Sequence, residues 1–138
     1  LDIDGVLVTR KHQLSINYKN HKDGLPKFDP DVVNIIKYIQ KETNAKIVIT
    51  STWRTTGLKN IQKIFKSRNI SNIYDITPFG FEYKTRSDEI RKWININDVE
   101  SFVIIDDKDI EGYYENLIQV DPEFGLTSYK KIINILNE

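Results

Sequence analysis

Leu1-Asp2-Ile3-Asp4-Gly5-Val6-Leu7 opens the chain with two carboxylates one residue apart in an apolar run, closed by a glycine. Side chains alternate faces along a strand, so Asp2 and Asp4 project to the same side and can serve one ligand or one reaction. Outward from this stretch, apolar bursts alternate with helical patterns, the signature of βαβ units and a mostly parallel sheet. Five strands are expected: one ending at Ile3, then Lys46 to Ile49, Ile73 to Ile76, Phe102 to Ile105 and Leu117 to Val120. Between them, Asp29-Pro30 starts a helix with the stripe Val32, Ile35, Ile36 and Ile39. Leu58, Ile61, Ile64 and Phe65 mark a second helix, and Ile90, Trp93 and Ile94 a third that begins near Thr85. A last helix carries Tyr129, Ile132, Ile133 and Leu136 and is expected to be capped at Thr127 or Ser128. Thr9 to Lys27 reads as an irregular polar stretch with Gly24 and Pro26 as breaks.

The 138 residues, 39% hydrophobic and 29% charged, suit one α/β domain over residues 1–138, with no repeat or linker to divide it. Twenty basic residues balance twenty acidic ones, which excludes nucleic-acid binding through bulk charge but not through a local patch. The absence of cysteine excludes disulfide frameworks and thiolate metal sites. No apolar run approaches the roughly 20 residues of a membrane helix, so the chain is expected to be soluble and cytoplasmic, without a membrane partner. Leu1 falls inside an expected strand, so further residues are expected upstream of it.

Polar groups recur where strands end: Asp2 and Asp4, then Thr50 and Ser51, then Asp106 and Asp107. Open parallel sheets bind ligands outside the carboxyl ends of their strands, where the loops diverge. Four carboxylates meeting there repel one another unless a cation intervenes, and Mg²⁺ prefers one or two carboxylates with water and phosphate oxygen. The hydroxyls and amides of the Thr50-Ser51 turn suit a phosphate. Together these groups describe phosphoryl transfer.

The same residues resemble the four motifs of the haloacid dehalogenase (HAD) phosphatase superfamily. Asp2-Ile3-Asp4-Gly5-Val6-Leu7 stands for the first, Thr50-Ser51 for the second, a later basic residue for the third and Asp106-Asp107 for the fourth. Thr50-Ser51-Thr52-Trp53-Arg54, Arg86-Ser87-Asp88-Glu89-Ile90 and Gly125-Leu126-Thr127 look closer still to the HAD domains of Swiss Army Knife RNA repair proteins. The resemblance implies a three-layer Rossmann-like fold. It also implies that Asp2 attacks phosphorus to form an aspartyl-phosphate, while Asp4 protonates the leaving oxygen and then deprotonates water. Mg²⁺ would be held by an Asp2 oxygen, the Asp4 carbonyl and Asp106, with Asp107 in support. Either Thr50 or Ser51 would bind the phosphoryl group, and Arg86, with Lys84 as the substitute, would offset its charge.

Other readings compete at single positions. Asp107 reads equally as a cap for a short helix around Tyr113, and Arg54 after Trp53 reads as a stacking or surface ion-pair residue in preference to a substrate contact. Many HAD enzymes insert a cap domain, but the intervals Val8 to Phe28 and Tyr74 to Tyr83 are too short for one. An open crevice suits a phosphate on something large, such as a nucleic-acid end, or a nucleotide. The first interval carries Arg10, Lys11, His12, Lys19, His21, Lys22 and Lys27 against Asp23 alone, as a basic flap tracking a polyphosphate backbone would. Phe79, Phe81, Tyr83, Tyr113 and Tyr114 are candidates for stacking on bases or for packing. Two rivals share the chemistry: a receiver-like or degenerate phosphate-binding module without catalysis, and a Toprim-like nuclease. The early DxD and late acidic pair run against the order that a receiver or a Toprim site requires, and the retained acids argue against a degenerate scaffold.

Overall fold

Parallel pairing brings the carboxyl ends of the strands to one edge in the computed structural model, which describes residues 1–138. The elements are α1 (Arg10–Gln13), α2 (Pro30–Thr43), β1 (Ile47–Ile49), a 3₁₀ turn (Thr52–Thr56) and α3 (Leu58–Ser67). They continue with β2 (Ile73–Ile76), α4 (Arg86–Asn97), β3 (Ile104–Asp106), β4 (Leu117–Gln119) and α5 (Lys130–Leu136). β1 pairs with β2, Ile49 opposite Ile76, and β3 pairs with β4, Asp106 opposite Gln119.

The expected five-stranded sheet does not form; the strands make two parallel sheets of two strands each. Leu1 to Ile3 lies between them as an extended link. The Leu1 amine donates to the Val48 carbonyl at 2.8 Å, the Thr50 amide to Leu1 at 3.0 Å and the Asp2 amide to Ile105 at 3.0 Å. Bonding to residues 48 and 50 is the pattern of a parallel neighbour, but two bonds to one side and one to the other fall short of a regular ladder. The link nevertheless brings Asp2 alongside Asp106.

Local sequence explains most element ends. Asp29 caps α2 by accepting from the Asp31 amide at 3.0 Å, Pro30 sits in the first turn, and Asn44 stops the helix at φ 54°. Thr85 and Asp88 form a reciprocal capping box at the start of α4. α5 departs from expectation: neither Thr127 nor Ser128 caps it, and its N-cap is Tyr129, without a side-chain cap. The Asp121–Gly125 bridge closes a turn first, and Tyr129 packs its ring 4.7 Å from that of Tyr38 on α2 before the helix begins.

The core buries Ile3, Val6 and Leu7 with Val32 and Ile36 of α2, Ile49 of β1, and Ile61 and Phe65 of α3. Burial of this kind is worth about 1.5–3 kcal/mol for each large side chain, so the link that carries Asp2 is anchored by its apolar neighbours. An apolar cavity of about 430 Å³ runs beside β1 and β3, lined by Ile36, Ile47, Thr50, Trp93, Ile104 and Ile132 and by no acid. Its walls offer packing rather than chemistry. No helix is long and apolar enough to cross a membrane.

Candidate active site

Two segments deliver three acids: the Leu1 to Ile3 link brings Asp2, and the end of β3 brings Asp106 and Asp107. Carboxylate oxygens of Asp2, Asp106 and Asp107 lie within 4.8 Å of one another. Asp106 is fully buried and Asp2 nearly so. Asp106 Oδ1 accepts from the Lys108 amide at 2.9 Å, and Oδ2 accepts from Arg86 Nη1 at 2.7 Å. The same nitrogen lies 3.3 Å from Asp2 Oδ1. Arg86 Nε and Nη2 make no hydrogen bond within the chain, and its side chain is 25% exposed. One guanidinium against three carboxylates leaves an excess of two negative charges, all on hard oxygen donors, a set that fits a divalent cation such as Mg²⁺.

The electrostatics follow from this crowding. Burial, and then the neighbouring Asp106 charge, push the Asp2 carboxyl up to about 6, against the opposing pull of Arg86. Asp107 is raised too, by burial and then by its hydrogen bond and charge contact with Asp106. Burial works against the Arg86 charge, but the Asp106 hydrogen bond and the two acids outweigh it, so its proton is held more tightly.

Gly5 explains why a glycine follows the paired acids. Its φ is +82°, and a Cβ there would lie 2.6 Å from Asp107 Oδ2. Only glycine lets the backbone after Asp4 turn this way and pass so close to the second acidic pair.

Asp4 stands apart from the three clustered acids. It is exposed, and its Oδ2 accepts from the Trp53 indole N–H at 3.1 Å. The Asp4 carbonyl accepts no hydrogen bond within the chain. The two hydroxyl candidates also separate. Ser51 Oγ caps the 3₁₀ turn by accepting from the Trp53 amide at 3.2 Å, whereas Thr50 Oγ1 is buried without a partner. Buried hydroxyls are nearly always paired, which makes Thr50 the one left available to a ligand. Of the two basic candidates, Arg86 meets the acids, while Lys84 is exposed and makes no ion pair.

The surroundings modify two expectations. Arg54 is not a surface residue: it is 2% exposed and pairs with Glu89 at 2.7 Å. The polar stretch from Thr9 is not loose either, since Arg68 clamps it with a bidentate pair to Asp23 at 2.8 and 3.0 Å and a bond to the Pro26 carbonyl at 2.9 Å. Arg68 thereby holds the Asp23 carboxyl down at about 2, its hydrogen bonds being the main cause. Arg10 and Lys11 face Glu123 and Asp31, leaving Lys19, Lys22 and Lys27 exposed without an ion pair. Among the aromatics, Phe79, Phe81 and Tyr114 are exposed, Phe81 fully, whereas Tyr113 packs on Phe102.

Trp53 and Glu89 were not legible as site residues, and Arg54 was legible only as a candidate less suited to substrate than to packing or ion pairing. Their partners are distant in sequence, and the adjacency of Trp53-Arg54 to Thr50-Ser51 was the only available signal.

Comparison with curated proteins and with solved structures gives no significant match. A family model described as the HAD domain in Swiss Army Knife RNA repair proteins matches residues 1–130. The match spans nearly the whole chain, crevice residues included, and the chain belongs to the HAD domains of Swiss Army Knife RNA repair proteins.

Proposed function

We propose that residues 1–138 act as one unit, a Mg²⁺-dependent phosphomonoesterase that works through an aspartyl-phosphate on Asp2. The observation that carries this reading is the convergence of Asp2, Asp106, Asp107 and Arg86 beside the unpartnered Thr50 hydroxyl. In the first step an Asp2 oxygen bonds to phosphorus, the bond from phosphorus to the leaving oxygen breaks, and Asp4 gives that oxygen its proton. In the second step Asp4 takes a proton from water, the water oxygen bonds to phosphorus, and the bond to Asp2 breaks to restore the carboxylate and release phosphate. Asp4 is suited to both halves, because its exposure leaves it open to water and the Trp53 N–H keeps its carboxylate in place. Asp2, the Asp4 carbonyl and Asp106, with Asp107 in support, would hold Mg²⁺, whose charge would neutralise the acids and the phosphoryl group when bound. Thr50 and the free nitrogens of Arg86 bind the transferring group, and Arg86 stabilises it as charge spreads.

The substrate we infer is a phosphate on a nucleic-acid end or a nucleotide. Support comes from the family's place in RNA repair and from crevice loops that carry only α1 and the short 3₁₀ turn. The test is turnover of p-nitrophenyl phosphate, nucleotides and 3′- or 5′-phosphorylated oligonucleotides with Mg²⁺ or EDTA, beside Asp2→Asn. Activity that needs both Mg²⁺ and Asp2 is expected. Activity that survives EDTA and Asp2→Asn contradicts the mechanism, and an absence of turnover moves the site to a binding role.

A further inference from the structure

We propose that Arg54 is a positioning residue, whose guanidinium sets the Thr50-Ser51 turn for a phosphoryl group and ties that turn to the helix that carries Arg86. The inference rests on the function proposed above. Arg54 lies in the 3₁₀ turn that follows β1, with its side chain 3% exposed. Nη1 donates to the Thr50 carbonyl at 2.8 Å and the Ser51 carbonyl at 2.9 Å. Nε donates to the Thr77 carbonyl at 3.0 Å, and Nη2 to the Pro78 carbonyl at 3.3 Å and to Glu89 Oε2 at 2.7 Å. These contacts engage every N–H the fork offers. Arg54 therefore has no donor left for a substrate, and its effect must pass through the groups it holds.

Those groups belong to three parts of the site. Thr50 and Ser51 end β1, Thr77 and Pro78 follow β2, and Glu89 stands one turn beyond Arg86 on α4. Across a planar trans peptide the carbonyl and the next amide point in opposite directions. Drawing the Thr50 and Ser51 carbonyls onto the guanidinium turns the following amides away from it. The Ser51 amide donates to no acceptor in the chain, and Thr50 Oγ1 is buried without a partner. Two donors from adjacent residues thus stand unpartnered on a turn whose carbonyls are fixed, as an anionic phosphoryl oxygen would require. Lysine cannot substitute, because a single ammonium does not span acceptors arranged around a planar fork.

The experiment compares the whole chain with Arg54→Lys, Glu89→Ala and Glu89→Gln, measuring orthophosphate affinity with Mg²⁺, kcat and KM for p-nitrophenyl phosphate, and the folded fraction by thermal melting. Arg54→Lys is expected to lose about tenfold or more in both orthophosphate affinity and kcat per folded molecule. Glu89→Ala is expected to lose about threefold to tenfold in kcat, and Glu89→Gln, which restores an acceptor, to recover most of it. Folded Arg54→Lys protein within twofold of wild type in both readouts overturns the proposal. If Arg54→Lys does not fold, equal kcat values for Glu89→Ala, Glu89→Gln and wild type overturn it instead. A wild type that binds orthophosphate without turning over any phosphoester overturns the function proposed above, while affinity still tests Arg54. A wild type that does not bind orthophosphate overturns the positioning role as well.

Discussion

Two arginines meet acids in this molecule, Arg54 the half-buried Glu89 and Arg86 the buried Asp2 and Asp106, and they use their donors in opposite ways. Arg54 divides its guanidinium among four carbonyls and Glu89, with its side chain 3% exposed. Arg86 engages Asp2 and Asp106 through Nη1 alone and keeps Nε and Nη2 free, with its side chain 25% exposed. Burial lowers the hold of Arg54 on its proton, with Glu89 opposing and the Arg86 charge adding to the loss. For Arg86 the balance reverses, because two acids outweigh its burial. A guanidinium whose bonds are complete organises the structure, whereas one with free donors beside excess negative charge is poised for a ligand.

The largest expected effect concerns the acid at the open centre. Asp2→Asn should remove turnover by on the order of 10⁴-fold or more while leaving the melting temperature near wild type, since the amide keeps the shape of the acid. Arg86→Gln should lower kcat by about 10²–10³-fold, the usual cost of losing one preorganised donor to a developing charge. It should also move the Asp2 carboxyl further above 6, because Arg86 is the opposing charge in that balance. NMR titration of the metal-free protein reads this directly.

The closed centre should respond in stability first. Glu89→Leu leaves the Arg54 charge buried without its acid and should cost about 3 kcal/mol in denaturant unfolding. An equal cost from Arg86→Leu would erase the contrast between the two arginines. Gly5→Ala should cost about 1–3 kcal/mol and weaken Mg²⁺ binding, because its Cβ both strains the backbone at φ +82° and meets Asp107. Lys84→Ala should change kcat and KM less than about twofold, since it is exposed and unpaired.

The pH dependence has a definite sign. The folded-state value of Asp2, about 6, lies above its ordinary 3.8. Its contribution to stability is therefore full below pH 3.8 and lost as pH rises through about 6. Under the proposed mechanism activity should run the other way, kcat/KM rising through this range, because an Asp2 nucleophile must be charged. Mg²⁺ favours the carboxylate and should move that limb to lower pH.

Much of the arrangement was legible because it is written locally. Asp29-Pro30 and Thr85 announce helix starts by capping chemistry, and Phe102 to Ile105 marks by composition the buried strand that runs as Ile104–Asp106, whereas the side that spacing assigns jointly to Asp2 and Asp4 is not shared, Asp4 lying exposed outside the acid cluster. What stayed hidden depends on residues far apart in the chain. Whether Leu1 to Ile3 completes a sheet depends on partners at 48, 50 and 105, and it forms a link instead. The burial of Arg54 depends on Thr77, Pro78 and Glu89, and the clamp on the basic stretch depends on Arg68, 45 residues from Asp23. The roles of Thr50 and Ser51 separate only once the 3₁₀ turn claims the Ser51 hydroxyl.

The central claim is that Asp2 becomes phosphorylated while Arg54 only shapes the site. Rapid acid quench during turnover, followed by intact-mass and peptide analysis, tests it most directly. The account predicts one added phosphoryl group on the peptide that carries Asp2, absent in Asp2→Asn and still formed, more slowly, in Arg54→Lys. Turnover with no phosphorylated protein at any quench time, or a phosphoryl group on another residue, would contradict it.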